Sequence, residues 1–359
     1  MALWGRKKCS GVLAPGRGPA YASGVMRLNG SKPADIEKAA ELLLGGGLVA
    51  FPTETVYGLG ANGLDPQAVE AIFAAKGRPA DNPVILHVAD FAQATTLWSA
   101  SSEQLEMAAR FAHVFWPGPL TLVLPAADSI PGIVTAGLPS VAVRCPAHPV
   151  AQAILQRARL PLAAPSANRS GRPSPTLAAH VATTLGENID AVVDGGATEV
   201  GIESTVLDLR AAPPRILRPG SISASRLRAL VSEVRDYSPA DLHADAASPG
   251  LRHRHYAPAI ADVAACSERD LETLWHSETA LLLRECVYRQ CADSFGERQA
   301  ATERLADVAA DYARELYAAL YRLEQKSVAQ LRVVEVPEDA AWDAVRDRLR
   351  RATGSALPS

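Results

Sequence analysis

Lys76 and Arg78 stand two residues apart in the stretch KGRPADNP, Lys76 to Pro83, wrapped in glycine and proline just past a helical pattern. A lysine in the last turn of a helix offsets the negative end of the helix dipole, an effect of about 0.3–1 kcal/mol, and Lys76 fits that ordinary role. Arg78 does not, because it lies beyond Gly77 and is held by Pro79. A planar arginine fork beside a compact lysine charge supplies the two halves of a phosphate clamp. Asn82 and a strand carrying His87 follow at once.

Other segments carry matching parts. PSAN ends in Ser166 and Asn168 and is followed by Arg169, Gly171 and Arg172; ESTVLDL places Ser204 and Thr205 at a strand start; ILRPGS and VAVRCP place Arg218 and Arg144 at strand ends. Taken singly, each is a salt-bridged arginine or a capping serine. Four arginines at strand ends or turns, interleaved with small hydroxyls, point to one anionic ligand held over the rim of a sheet, where open α/β folds place their ligands. No Ser-His-Asp or Cys-His order stands out, and no carboxylate pair is isolated for acid–base work. Gly58, Gly60 and Gly63 match G-x-G-x-x-G, but the next helix starts at Asp65-Pro66, after the last glycine, and Asp81 precedes a strand rather than ending one. A dinucleotide turn needs the opposite on both counts. A P-loop motif is absent.

The elements that must position these residues alternate. ADIEKAAELLLGGG reads as an amphipathic helix stopped at Gly45, LVAFPT as a buried strand, and LDPQAVEAIFAAKG as a helix with Asp65 as N-cap, Pro66 in the first position and Gly77 at the C′ position. Strands PVILHVA, LTLVLP, SVAVRCP, LPLAAPSAN, IDAVVDGG, ESTVLDL and PRILRPGS follow, with helices EQLEMAARFAHVFW, HPVAQAILQRA, SPTLAAHVATTLG and SASRLRALVSEV among and after them. This alternation predicts an α/β domain with an open mixed sheet over residues 26–235. The segment 236–258, with three prolines and few large apolar residues, reads as a linker. Residues 259–359 read as a smaller α/β domain: strand ETALLLRE, a long helix ATERLADVAADYARELYAALYRLEQ, strand LRVVEVP and helix DAAWDAVRDRLRRAT.

The bulk numbers permit this. A chain of 359 residues suits two domains, and 48% hydrophobic residues suffice for two cores. A net charge of −3 exerts no global pull on nucleic acid or anionic membrane, so any cationic site is local. The five cysteines (Cys9, Cys145, Cys266, Cys286 and Cys291) have neither C-x-x-C spacing nor a histidine cluster, which indicates free thiols in a reducing compartment. Residues 1–25 are basic, within a run that has no acid before Asp35, and lack an apolar signal core; they read as a disordered extension, a transit segment or a start placed too early.

In their order, FPTETVYGLGANGLD, KGRPADNPVILHV, WPGPLTLVL, VAVRCPAHP, PSANRSGRPSPT, ESTVLDL and LRPGSIS resemble the YrdC-like family of threonylcarbamoyl-AMP synthases over about residues 26–235. SPGLRHRHYAP and the domain behind it resemble the long, two-domain form, although AAW stands where that form usually has a glycine-rich step. The resemblance implies a twisted mixed sheet with flanking helices plus a Rossmann-like C-terminal domain. It implies that L-threonine and bicarbonate or CO2 form a carbamate that attacks the α-phosphate of ATP, releasing pyrophosphate. Threonylcarbamoyl-AMP would then pass to a separate tRNA transferase. On this resemblance Lys76 and Arg78 stabilise the charge of the reaction. The ATP side comprises Lys76, Arg78, Asn82, Ser140, Ser166, Ser174 and Arg218, with Tyr256 reaching it from a lid. The threonine side comprises Thr55, Tyr57, His87, Arg144, Ala164 (by its backbone) and Ser204. Magnesium arrives with ATP, without dedicated protein ligands, and the enzyme is expected in the cytoplasm with no membrane span. Direct tRNA binding is allowed but not required. The rival classes are a double-stranded RNA or tRNA-binding module, which a concave cationic sheet would also suit, and a nicotinamide oxidoreductase.

Overall fold

Short, wholly buried runs such as VAF and SVAVR show no alternation of burial because both faces of the strand are covered. In the computed structural model, which describes residues 24–238, 255–271, 279–295, 301–326 and 328–354, these runs assemble into two sheets. The larger contains β1 (Met26–Asn29), β2 (Val49–Phe51), β3 (Gly58–Asn62), β4 (Ile85–His87), β5 (Leu120–Pro125), β6 (Ser140–Arg144), β7 (Leu162–Ala163), β8 (Ala191–Asp194), β9 (Thr205–Asp208) and β10 (Arg215–Arg218). Their order is β1-β8-β2-β3-β7-β4-β6-β5-β9-β10, with parallel and antiparallel neighbours mixed. The smaller sheet, β11 (Asp262–Cys266), β12 (Thr279–Arg284), β13 (Thr302–Leu305) and β14 (Gln330–Val334), runs parallel throughout in the order β11-β14-β12-β13. Both sheets agree with the predicted fold class.

Successive residues of a strand face opposite sides, and the cores follow that rule. Ala50 packs into one cluster with helices α2 (Pro66–Lys76) and α4 (Ser102–Phe115); Val49 and Phe51 pack on the other side with α1 (Pro33–Leu44) and α6 (Pro149–Ala158). Helix α2 forms as its sequence directs. Asp65 accepts from the Gln67 and Ala68 amides, Pro66 opens the helix, and Gly77 closes it at φ 59°, a left-handed conformation cheap for glycine. The short helices α3 (Phe91–Thr95), α5 (Gly132–Thr135) and α7 (Ala178–Thr184) complete the flanks, while α8 (Ala224–Arg228) is much shorter than SASRLRALVSEV suggested.

Three differences from expectation have physical causes. GLGAN, to which the sequence pattern gave no element, is strand β3: a Cβ on Gly60 would come within 2.5 Å of the Phe51 ring, and one on Gly63, just past the strand, within 2.6 Å of Leu86. These glycines let strands approach, so the dinucleotide reading falls. The long C-terminal helix begins at Ala309; its expected first turn is instead β13, which gains a parallel partner in β12. Helix α9 (Glu285–Phe295) was not foreseen, α10 is Ala309–Glu324 and α11 is Asp343–Thr353. Within AAW, Trp342 is buried edge-on against Tyr312 at 5.4 Å, so an aromatic fills this step. Cys145, Cys266, Cys286 and Cys291 take part in no disulfide, and among the described residues no helix is long and apolar enough to cross a membrane. The expected N-terminal extension, except its last two residues, and most of the linker lie outside the described residues.

Candidate active site

The half of the large sheet from β4 to β10 has one face whose apolar cluster, Ile85, Val123, Ala142, Val206 and Leu217, contains no helical residue. The strand period brings polar side chains to that same face: His87 with Ile85, Arg144 with Ala142, Thr121 with Val123. Register then sets them in a row, since Arg144 pairs with Thr121 on one side and His87 on the other. Thr55, Arg78, His87, Arg144, Ser204 and Arg218 line the small cavity over this row, which holds about 50 Å³ of free space; Ala164, Ser166 and Tyr256 line it too.

Arg144 anchors one end. It is 4% exposed and forms an ion pair of 2.7 Å with Glu54, while Nη1 donates to Thr55 Oγ1 (2.9 Å) and Nε to the Gly118 carbonyl (3.2 Å). Thr55 is itself oriented by Thr53, 2.8 Å away. A guanidinium has five N–H donors, so the fork retains two for an incoming carboxylate. His87 is buried with Nδ1 lacking a hydrogen-bond partner. Burial and the Arg144 charge push its pKa down to about 3, so it is a neutral imidazole at neutral pH.

Cations crowd the other end. Arg78 donates through Nε to the Asn82 carbonyl (3.0 Å) and through Nη2 to the Pro83 carbonyl (2.6 Å). Lys76 donates to the carbonyls of Ser166 and Asn168. Arg218 reaches the carbonyl and the hydroxyl of Ser204, both at 3.1 Å, and that hydroxyl touches Thr121 at 2.7 Å. Burial and then Arg78 hold the Lys76 ammonium well below the lysine range; burial draws Arg78 down to about 10 and lowers Arg218 as well. Like charges packed this closely depress one another's pKa and favour a bound polyanion.

The end of the linker closes over these groups. Tyr256 is 2% exposed, edge-on to His255 at 4.2 Å, and has φ 65°, a conformation rarely adopted by a bulky residue. Such outliers gather where surrounding structure imposes them, commonly at functional sites. The adjoining Ala257 amide donates to the Gly171 carbonyl, and the His255 amide to the Arg351 carbonyl, so this segment is tied to both domains.

Most of the residues predicted from sequence converge here. Lys76 and Asn82 bound the cavity through their bonds to Ser166 and Arg78. Ser174 stands one step behind, donating to Glu203 Oε1 at 2.5 Å. Ser140 opens β6 while Arg144 closes it, about 13 Å apart at the usual strand rise. Its hydroxyl is buried without a partner, beyond the cavity. Tyr57 lies outside the cavity: its ring is fully buried in the main core and its hydroxyl donates to the Gly196 carbonyl at 2.7 Å. Sequence reasoning missed Glu54 and Glu203. Each is a carboxylate immediately before a predicted site hydroxyl, Thr55 or Ser204, and that adjacency was the available signal. Both are held by arginines, so neither is a free base.

A metal held by the protein does not fit this donor set. Glu203, the carboxylate that lines the cavity, is already paired with Arg348, and Glu54 behind Arg144 with that arginine; the described residues contain no group of three His, Cys, Asp or Glu side chains suited to a cation. The cations of this cavity are enclosed, whereas contact with an RNA phosphate backbone needs exposed basic groups. A larger cleft of about 720 Å³ between the domains gathers none of the predicted residues.

The fold and site thus define a two-domain α/β protein with an enclosed, cationic, hydroxyl-lined cavity whose chemistry suits an anionic ligand. Residues 41–220 match the Sua5, YciO and YrdC family, described as "Telomere recombination", and residues 222–354 match the threonylcarbamoyl-AMP synthase C-terminal domain. The chain belongs to this family, in its two-domain Sua5 form. It is 42% identical over 323 residues to the threonylcarbamoyl-AMP synthase of Pyrococcus abyssi, covering 89% of this chain and 94% of that one. It is 41% identical over 335 residues to the enzyme of that name from Bacillus subtilis, covering 89% and 93%. The crystal structure of P. abyssi Sua5 complexed with L-threonine superposes with a TM-score of 0.82 at 39% identity, covering 92% of this chain and 97% of that one.

Proposed function

We propose that this protein is an L-threonylcarbamoyladenylate synthase, a nucleotidyltransferase that makes threonylcarbamoyl-AMP from L-threonine, bicarbonate or CO2, and ATP. The observation that carries this reading is the polarity of the cavity: a single buried arginine, Arg144, at one end, and three buried cations, Lys76, Arg78 and Arg218, each donating to backbone carbonyls, around the other. The first suits an amino-acid carboxylate and the second a polyphosphate. Similarity to a relative solved with L-threonine supports threonine as the amino-acid substrate.

The reaction then needs positioning and charge rather than a protein nucleophile. The threonine amine adds to CO2 and loses a proton, giving the carbamate. A carbamate oxygen attacks the α-phosphorus; the bond from that phosphorus to the bridging oxygen breaks, and pyrophosphate leaves with the electron pair. Arg144 and Thr55 hold the carboxylate end, with neutral His87 beside them. Lys76, Arg78 and Arg218 offset the charge gathering on the leaving pyrophosphate. Ser166, Ser204 and the Ala164 backbone shape the junction, and Tyr256 excludes water that would hydrolyse the intermediate. Asn82, Ser140 and Ser174 belong to the nucleotide side. Magnesium accompanies ATP through its phosphates and water. The product passes to a separate transferase acting on the adenosine beside the tRNA anticodon, and a cytoplasmic enzyme suits that role.

The test is pyrophosphate release from ATP with threonine and bicarbonate, omitting each in turn, with tRNA absent. Turnover requires all three. Equal release without threonine refutes the reading.

A further inference from the structure

The groups that join the two halves of the cavity are themselves gripped by the second domain. Ser204 and Arg218, bonded to each other, sit at the adjoining ends of β9 and β10. The residue before the first is Glu203 and the residue after the second is Pro219. Arg348, from α11 of the C-terminal domain, holds both: Nε donates to Glu203 Oε2 at 2.8 Å and Nη1 to the Pro219 carbonyl at 2.8 Å. It is 0% exposed, and its guanidinium lies 5.6 Å from the centre of the Tyr256 ring.

The neighbourhood is built around this arginine. Glu203 also accepts from Ser174 and, at 3.0 Å, from Tyr317 of α10. Asp347 balances the far side of the guanidinium at 2.9 Å and is held by Arg351 and Tyr237. Gly201, at φ 78°, allows α10 to dock on the loop before Glu203, since a Cβ there would lie 2.3 Å from the Arg314 Cα. Burial pushes the Glu203 carboxyl up, but Arg348 and then Arg218 bring it down to about 2, so the pair is ionised throughout the physiological range.

Adhesion alone does not call for such a pair. Removing two charges from water is costly, and apolar residues of similar volume serve a domain interface at least as well. What a fork adds is direction: its donors fix Glu203 and Pro219 relative to one another, and through them Ser204 and Arg218. We propose that Arg348 is a positioning residue for the reaction, by which the C-terminal domain sets the geometry of Ser204 and Arg218 in the catalytic cavity.

This rests on the synthase reading, so the parent protein is assayed first for threonine-dependent pyrophosphate release; a parent without it overturns both. The full-length variants are Arg348→Lys, Arg348→Ala and the neutral double substitution Arg348→Met with Glu203→Gln. Each is measured by thermal melt and by initial rates against threonine and ATP separately. Arg348→Lys keeps the charge but cannot span Glu203 and Pro219 together, and is expected to raise both Michaelis constants about tenfold while melting close to the parent. Arg348→Ala strands Glu203 and melts earlier. The double variant regains most of that melting temperature without regaining the Michaelis constants. A purely structural role reduces the amount of active protein, lowering the apparent kcat and leaving both constants alone. A double variant with parental constants therefore overturns the proposal while the synthase reading stands.

Discussion

Arg144→Lys separates the two substrates. The arginine is committed to Glu54, Thr55 and the Gly118 carbonyl, with two N–H groups left. A lysine at this position keeps the charge beside Glu54 but presents three donors from one nitrogen, and cannot meet those partners and a substrate carboxylate in two places at once. The loss is at least one charge-assisted hydrogen bond, about 1.5–3 kcal/mol, which is roughly ten- to hundredfold in affinity. Alanine is the poorer probe. It leaves Glu54 buried without its cation, at about 3–5 kcal/mol, a large share of the ~5–15 kcal/mol that holds a typical domain folded. The assay is initial-rate pyrophosphate release with threonine varied at saturating ATP, then the reverse, beside calorimetric titration with threonine. Arg144→Lys is expected to raise the threonine constant ten- to hundredfold and to move the ATP constant less than threefold. An equal rise in both refutes the division of the cavity.

Arg78→Ala removes the donors to Asn82 and Pro83 as well as a phosphate contact; the expected outcome is a ten- to hundredfold fall in kcat/KM for ATP with a melting temperature a few degrees lower, and a melt that abolishes the fold would make the residue structural. Tyr256→Ala, and separately truncation before Ser248, are expected to leave a folded N-terminal domain with impaired synthesis, checked by steady-state product formation; full activity in both would reduce the segment to a tether. Burial first, with Arg144 beside His87 and Arg78 and Lys76 beside His255, depresses both histidines to about 3. Their stabilising contribution is complete above the unfolded value near 6.5 and is lost as pH falls, by about 1.4 kcal/mol each at pH 5.5, so denaturant unfolding should show a loss of about 3 kcal/mol between pH 7.5 and 5.5. A flat profile would exclude that burial.

Local punctuation in the sequence determined much of this protein. Asp65, Pro66 and Gly77 bound α2 because capping, ring geometry and left-handed freedom act within a few residues, so Lys76 and Arg78 were placed before any fold was known. Continuous apolar runs marked β2, β4, β5 and β6 because both their faces are buried. Only the tertiary structure decided the rest. GLGAN became a strand because β2 and β7 pair with it on either side; TERL became β13 because β12 offered an open edge. Tyr57 went to the core and Ser140 to the far end of β6 because strand direction and register, not proximity in a motif, decide where a side chain points. The partners of the two buried acids were the least legible: Glu54 finds Arg144 and Glu203 finds Arg348 across 90 and 145 residues. Buried charges are satisfied by whichever opposite charge the packed chain brings near, and no local pattern records that choice.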